Sequence, residues 1–221
     1  MKIVHPHLVR QIDFSKEEFY ALIIENQKEF FSLTKELYNQ VGGGEGNFVL
    51  SEKCESLSIE KNVLFIYDYF SIGLNSKRID NLLNASAINI IKEGDYIELI
   101  TELNQKFIEF HEKVVDSFDL DVTYDDDLTF EKLVKLANYK ISYNNDLLES
   151  ILTYIDIHIK LQKIKVVVLV GAQTYFSQEE FDKLLKQIEY YDINLLLIDN
   201  RRSLDLKGIK CYTIDDDLCE I

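Results

Sequence analysis

One proline and eight glycines are all the strong turn-formers that 221 residues supply. That scarcity excludes a loop-rich or all-β chain and favours long helices. Cysteine is scarce as well: Cys54, Cys211 and Cys219 stand far apart, with no Cys-x-x-Cys spacing. Neither a disulfide framework nor a thiolate zinc site fits that pattern, whereas reduced thiols in the cytoplasm do. No apolar run approaches the roughly 20 residues that span a bilayer. The first residues also lack an apolar signal region, so the expected location is the cytoplasm, away from membranes.

Positive charge is the other shortage. Against 39 Asp and Glu stand 24 Lys and Arg, a net charge of −15. Taken whole, that balance argues against a nucleic-acid binder. The acidity is local, however. Between Lys92 and Glu131, 13 acidic residues meet only Lys92, Lys106 and Lys113, so the rest of the chain carries just −5. A basic surface elsewhere is compatible with the sequence.

What the chain does have is apolar periodicity. Met1 to His5, ahead of Pro6, reads as a first strand. Ser15-Lys-Glu-Glu18 has the form of a capping box, and Phe19, Leu22, Ile23, Phe30, Leu33 and Leu37 follow at helical spacing. The pattern predicts a helix from there to Val41, stopped by Gly42-Gly-Gly-Glu-Gly46. Phe48 to Leu50 and Val63 to Tyr67 read as strands, and Asn75-Ser76 caps a further helix carrying Ile79, Leu82, Leu83 and Ile88. From Asp95 to Phe118, the residues Tyr96, Ile100, Leu103, Phe107, Phe110, Val114 and Phe118 form a heptad-like seam. So long a helix cannot bury both ends in a small core and is expected to project and pack lengthwise against another helix, in the same subunit or a neighbouring one. A short helix over 130–136 follows, then a helix over 145–161 with a wide apolar face. Val166 to Val170, then the capping box Ser177-Gln-Glu-Glu180 with Phe181, Leu184 and Ile188, then Ile193 to Ile198 make a strand, helix and strand of a parallel sheet. Lys210 to Ile214 adds an edge strand. The fold class is α/β: a mostly parallel sheet built from 1–75 and 163–221, with a helical domain, 76–162, inserted between.

Catalytic signals are weak. The glycine cluster lacks the lysine of a phosphate loop and follows a helix where a strand is needed, so it reads as a helix stop. Asp199 ends an apolar strand as a nucleotide-site aspartate does, but has no phosphate loop to serve. His111-Glu112 lacks the second histidine of a zinc protease, Asp205-Leu-Lys207 is a loose nuclease-like match, and His5 and His7 read as surface or strand-end residues. No catalytic residue is assigned.

The densest feature is Phe118 to Glu131, where Asp119, Asp121, Asp125, Asp126, Asp127 and Glu131 place six carboxylates in fourteen residues. Such a connection repels itself unless counter-ions, a basic partner surface or a hard divalent cation sits in it. Calcium takes six to eight oxygens in flexible geometry and suits such a set better than magnesium. The stretch is not an EF-hand, because Tyr124 and Phe130 stand where glycine and glutamate are required. A solvated loop, with Asp127 facing the next helix N-terminus, is the plainer reading. Lys132, Lys135 and Lys140 follow this stretch, and Lys160, Lys163 and Lys165 close the helical insertion.

Asp119-Leu-Asp-Val-Thr-Tyr-Asp-Asp-Asp-Leu-Thr-Phe-Glu-Lys-Leu, Val166-Val-Val-Leu-Val-Gly-Ala-Gln-Thr-Tyr-Phe-Ser and Asn194-Leu-Leu-Leu-Ile-Asp resemble the small adaptation protein family of type II-A CRISPR loci. The resemblance implies an α/β head related to P-loop ATPases without a Walker motif, and an inserted helical leg. It implies a ring of four copies whose lysine-lined hole threads onto double-stranded DNA ends without sequence preference. It further implies calcium at the acidic connection, no catalysis, and work beside the CRISPR integrase and the RNA-guided effector nuclease of the same locus. The six carboxylates become the metal candidates and the six lysines the DNA candidates. The competing readings are a metal-dependent nuclease using the Asp119–Glu131 carboxylates, or an acidic helical adaptor without DNA contact.

Overall fold

The structure, a computed structural model, describes residues 1–142 and 146–221. Its contacts divide the chain into two compact units, Met1–Ile72 with Tyr143–Ile221, and Gly73–Ser142.

The first unit is built on a five-stranded parallel sheet. Its strands are β3 (Phe19–Ile24), β6 (Val63–Ile66), β7 (Val166–Val170), β8 (Asn194–Asp199) and β9 (Lys210–Ile214), in the order β6-β7-β8-β3-β9. All neighbouring pairs run parallel. A second, antiparallel sheet has the order β2-β1-β4-β5, from β1 (Lys2–Val4), β2 (Ile12–Asp13), β4 (Val49–Glu52) and β5 (Glu55–Leu57). Parallel strands covered on both faces are apolar throughout, and every residue of β7 is buried.

Alternate side chains feed two cores. Ala21, Ile23, Val167, Leu169, Leu195 and Leu197 face α6 (Leu147–Ile157) and α7 (Gln178–Tyr190) through Ile151, Ile155, Phe181, Leu184 and Ile188. Tyr20, Leu22, Ile24, Val166, Val168, Leu196 and Ile198 face the other way, onto α1 (Gln27–Val41) and the small sheet through Leu33, Leu37, Ile3 and Leu50. Ile59 of the short α2 (Ile59–Asn62) closes that side.

Two sequence expectations fail here. Phe19 to Ile24 is not the first turn of a helix but a strand between β8 and β9, buried at Tyr20 through Ile24. Burial on both faces outweighs the helical spacing. Ser15 does not cap a helix; its hydroxyl donates to Asp13 Oδ1 at 2.6 Å. The helix begins later, where the Asn26 side chain accepts the amides of Lys28 and Glu29. The second difference is α6. The expected helical insertion ran to 162, yet Ile151 and Ile155 are fully buried in the core of the parallel sheet. The expected start of this helix at Asn145 lies outside the described residues. The glycine cluster does act as a stop, with Gly42 and Gly44 donating their amides to Tyr38 and Asn39 carbonyls.

The second unit holds α3 (Lys77–Glu93), α4 (Ile97–Val115) and α5 (Phe130–Ala137). Ser76 caps α3 as its position predicts, accepting the Ile79 amide. Leu74, Ile79, Leu128 and Val134 are buried in this unit. Asn75 pins the chain beyond α5: its side chain accepts the Ile141 amide at 2.9 Å and donates to the Ile141 carbonyl at 3.3 Å. Helix α4 has no buried side chain at all. Among the described residues no helix is long and apolar enough to cross a membrane.

Candidate nucleic-acid interface and acidic connection

Residues 116–129 join α4 to α5 without regular secondary structure. The connection is folded by its own side chains. Asp125 Oδ1 accepts the Asp127 amide at 3.2 Å, a turn that aspartate forms readily. Thr129 caps α5 by accepting the Lys132 amide. The Lys132 ammonium then reaches back and donates to Asp125 Oδ2 and to the Asp127 carbonyl oxygen. This lysine, and secondarily the Asp127 amide, holds the Asp125 carboxyl below its ordinary range. Farther along, the Tyr124 ring stacks on His111 of α4 at 5.3 Å, with Phe107 and Phe110 against the same imidazole. Desolvation, with Glu112 and Asp126 behind it, raises the Tyr124 hydroxyl.

The six candidate carboxylates are therefore not equivalent. Asp125 and the Asp127 backbone converge on one cation, the lysine. Asp119, Asp121, Asp126 and Glu131 are exposed and do not join them. Among the described residues no group of three or more His, Cys, Asp or Glu side chains is placed to hold a metal ion. A carboxylate oxygen and a backbone carbonyl, donor types that hard cations take, here surround the Lys132 ammonium.

The six candidate lysines also divide. Lys132 is held by Asp125, Lys140 by Asp80 at 2.7 Å, Lys160 by Asp156 at 2.6 Å and Lys165 by Glu52 at 2.6 Å. Lys135 and Lys163 are exposed and make no ion pair among the described residues. The paired lysines are all substantially solvent-accessible, and ion pairs of that kind are worth about 0–1 kcal/mol. A phosphate can replace the carboxylate at little cost.

The other singled-out residues find structural partners. His5 is buried. It accepts the His7 amide on Nδ1 at 3.1 Å, which leaves Nε2 to donate to Glu36 at 3.3 Å. Burial lowers its pKa, and Glu36 offsets part of that. His7 lies 2.7 Å from Glu29. Asp205 and Lys207 pair with each other at 2.8 Å.

Asp199 sits at the end of β8, 3% exposed, and its Oδ2 has no hydrogen-bond partner among the described residues. Burial pushes its pKa up to about 6, tempered by Gln173. The Tyr69 hydroxyl nearby is likewise buried and has no partner among the described residues, and burial and the Asp199 charge raise it strongly. Gln173 was not legible as important in the sequence. Its Oε1 accepts the amides of Ser203 at 2.9 Å and Leu204 at 3.0 Å, so one buried side chain shapes the loop after β8.

In a comparison with protein-family models, residues 40–218, most of the chain, fit the family described as CRISPR-associated protein (Cas_Csn2).

Proposed function

From the premise that the chain belongs to the CRISPR-associated Cas_Csn2 family, whose members are non-catalytic and serve CRISPR adaptation, we propose that it binds ends of double-stranded DNA as a closed ring of four copies during spacer acquisition. The observation that carries the reading is helix α4. Tyr96, Leu103, Phe110, Val114 and Phe118 are exposed along its seam, and no side chain of the helix is buried. An apolar seam of that length is stable when it meets the seam of another copy. A ring needs positive charge only on its inner wall, which reconciles DNA binding with a net charge of −15.

In this reading Lys135 and Lys163 meet phosphates directly, while Lys132, Lys140, Lys160 and Lys165 exchange their carboxylates for phosphates. Contacts of that kind carry no sequence information. Calcium at the acidic connection would be held by Asp125 and Asp127 in place of the Lys132 ammonium, with Asp119, Asp121, Asp126 and Glu131 drawn in. It would neutralise the connection and brace α4 against α5. The parallel sheet would be a relative of P-loop ATPases that has lost the nucleotide motif. The partners are the integrase and the RNA-guided effector nuclease of the same locus, in the cytoplasm.

The test is a gel-shift comparison of linear and covalently closed circular DNA of one sequence, with calcium or chelator, beside the mass of the protein in solution. Binding to the linear form alone, by a tetramer, supports the reading. Equal binding to both topologies, or a monomer at every concentration, sinks it. Cleavage of the linear DNA with magnesium would revive the nuclease alternative.

A further inference from the structure

The loops after β6, β7 and β8 leave the same edge of the parallel sheet, since the three strands are adjacent and parallel. Side chains shape two of these loops: Asp68 its own, and Gln173, from the loop after β7, the loop after β8. Asp68 Oδ1 accepts the amides of Phe70 at 3.0 Å and Ser71 at 3.2 Å, which turns Phe70 outward. The Tyr175 ring packs 4.7 Å from buried Tyr69 and edge-on to Phe70 at 5.7 Å. Gln173 accepts the Ser203 and Leu204 amides, while the Ser203 hydroxyl donates to the Gln173 carbonyl at 3.3 Å. That loop displays Arg201 and Arg202 side by side, both exposed. Arg202 reaches Asp205 only at 4.0 Å, and Arg201 has no ion pair among the described residues.

Phe70 is 86% exposed and Tyr175 is 39% exposed. Exposed aromatic rings on loops that share a sheet edge with two adjacent arginines combine the residue types enriched in interface cores. Arginine and aromatic residues are enriched there and carry most of the binding energy. Their loops are already ordered, so little conformational entropy is lost when a partner docks.

We propose that Phe70, Tyr175, Arg201 and Arg202 form a docking surface for a protein segment that carries carboxylates beside an apolar side chain. The apolar side chain lies on the Phe70–Tyr175 shelf, and the carboxylates take the two arginines, which are suited to bidentate pairing. A nucleic acid fits less well. It presents a long row of phosphates and gains affinity through many cations, and this edge offers two. The inference goes beyond DNA-end binding and does not depend on it.

The experiment pans a displayed library of random short peptides against the full chain, with counter-selection on the Arg201→Glu/Arg202→Glu variant. Enriched peptides are expected to carry several carboxylates around one Leu, Phe or Trp. Synthetic copies should lose about tenfold or more in affinity on that variant and on Phe70→Ser, as removal of a central anchor does. All three side chains are exposed, so thermal melting of the variants should match the wild type, and a matching melt validates the comparison. The proposal is overturned if no peptide distinguishes the two chains, or if enriched peptides bind Phe70→Ser as tightly as the wild type. It is also overturned if the arginine variant loses affinity for a duplex oligonucleotide and for no peptide, which would assign the edge to nucleic acid.

Discussion

The Glu220 carboxylate closes on Arg10. It accepts the Arg10 amide at 3.1 Å and the Val9 amide at 2.7 Å, and lies 3.6 Å from the Arg10 guanidinium, with its side chain only 3% exposed. One buried acid thus ties the segment after β1 to the chain beyond β9. Hydrogen bonds to a charged group are worth about 1.5–3 kcal/mol each when the partner is lost. Glu220→Ala is expected to lower stability by about 2 kcal/mol in urea unfolding, given the exposure of Val9. Glu220→Gln, which keeps an acceptor, should cost less. Equal stability of Glu220→Ala and wild type would refute the tie.

Asp199 makes the opposite contribution. Its carboxyl titrates at about 6 in the folded protein because burial disfavours the charge. In the unfolded chain it titrates near its ordinary value of 3.8. Below that ordinary value both states are protonated and no penalty exists. As pH rises toward 6 the folded state holds a proton that the unfolded state has released, and stability falls. Above 6 the loss is complete, about 3 kcal/mol. Asp199→Asn is therefore expected to gain stability at pH 7.5 by up to that amount and to gain almost nothing near pH 4. Denaturant unfolding at the two pH values checks this. A gain of the same size at both would point to a cause other than ionisation.

Lys132 is the internal counter-ion of the acidic connection. Lys132→Met leaves the Asp125 and Asp127 oxygens facing each other without a cation, and repulsion should loosen residues 119–131. Faster amide exchange across that stretch, with slow exchange retained in β7 and β8, is the expected result. Millimolar calcium should restore protection in the variant. If exchange is unchanged by both the substitution and calcium, the connection needs no cation.

Phe110→Glu tests the seam of α4. No side chain of that helix is buried, so the substitution should leave the melting of the parallel-sheet unit unchanged. It should lower the mass in solution, because a carboxylate at a seam position is not tolerated between apolar helices. Light scattering over a concentration series reads the outcome. A variant of unchanged mass would remove α4 from the assembly.

The sequence reading and the structure agree where a segment has a single periodicity. Continuous apolar runs at 166–170 and 194–199 are buried parallel strands, and Ser177 to Glu180 forms the expected capping box with both reciprocal bonds. Phe19 to Ile24 was misread because an apolar run of six residues satisfies helical and strand spacing alike, and a serine three residues before a glutamate imitates a helix start. Only its neighbours β8 and β9, more than 170 residues away in the chain, decide the matter. The helix at 147–157 reads in sequence as part of the insertion because it follows other helices, whereas its partners β7 and α7 come later. At the acidic connection the carboxylates were plain from the letters. The closing of Lys132 on Asp125 and Asp127 was not, because it depends on the chain doubling back through Thr129. Gln173 gave no signal, since one amide side chain in a loop looks like any other until the loop it shapes is seen.

A helix with no buried side chain draws little support from the core of its own unit. Isolated helices of about this length are marginal in water. If α4 meets the seam of another copy, as proposed above, its order depends on the concentration of the protein. Diluting the protein should shed helical signal from Ile97–Val115 while the parallel sheet stays intact, so that concentration acts on one segment as temperature acts on the whole.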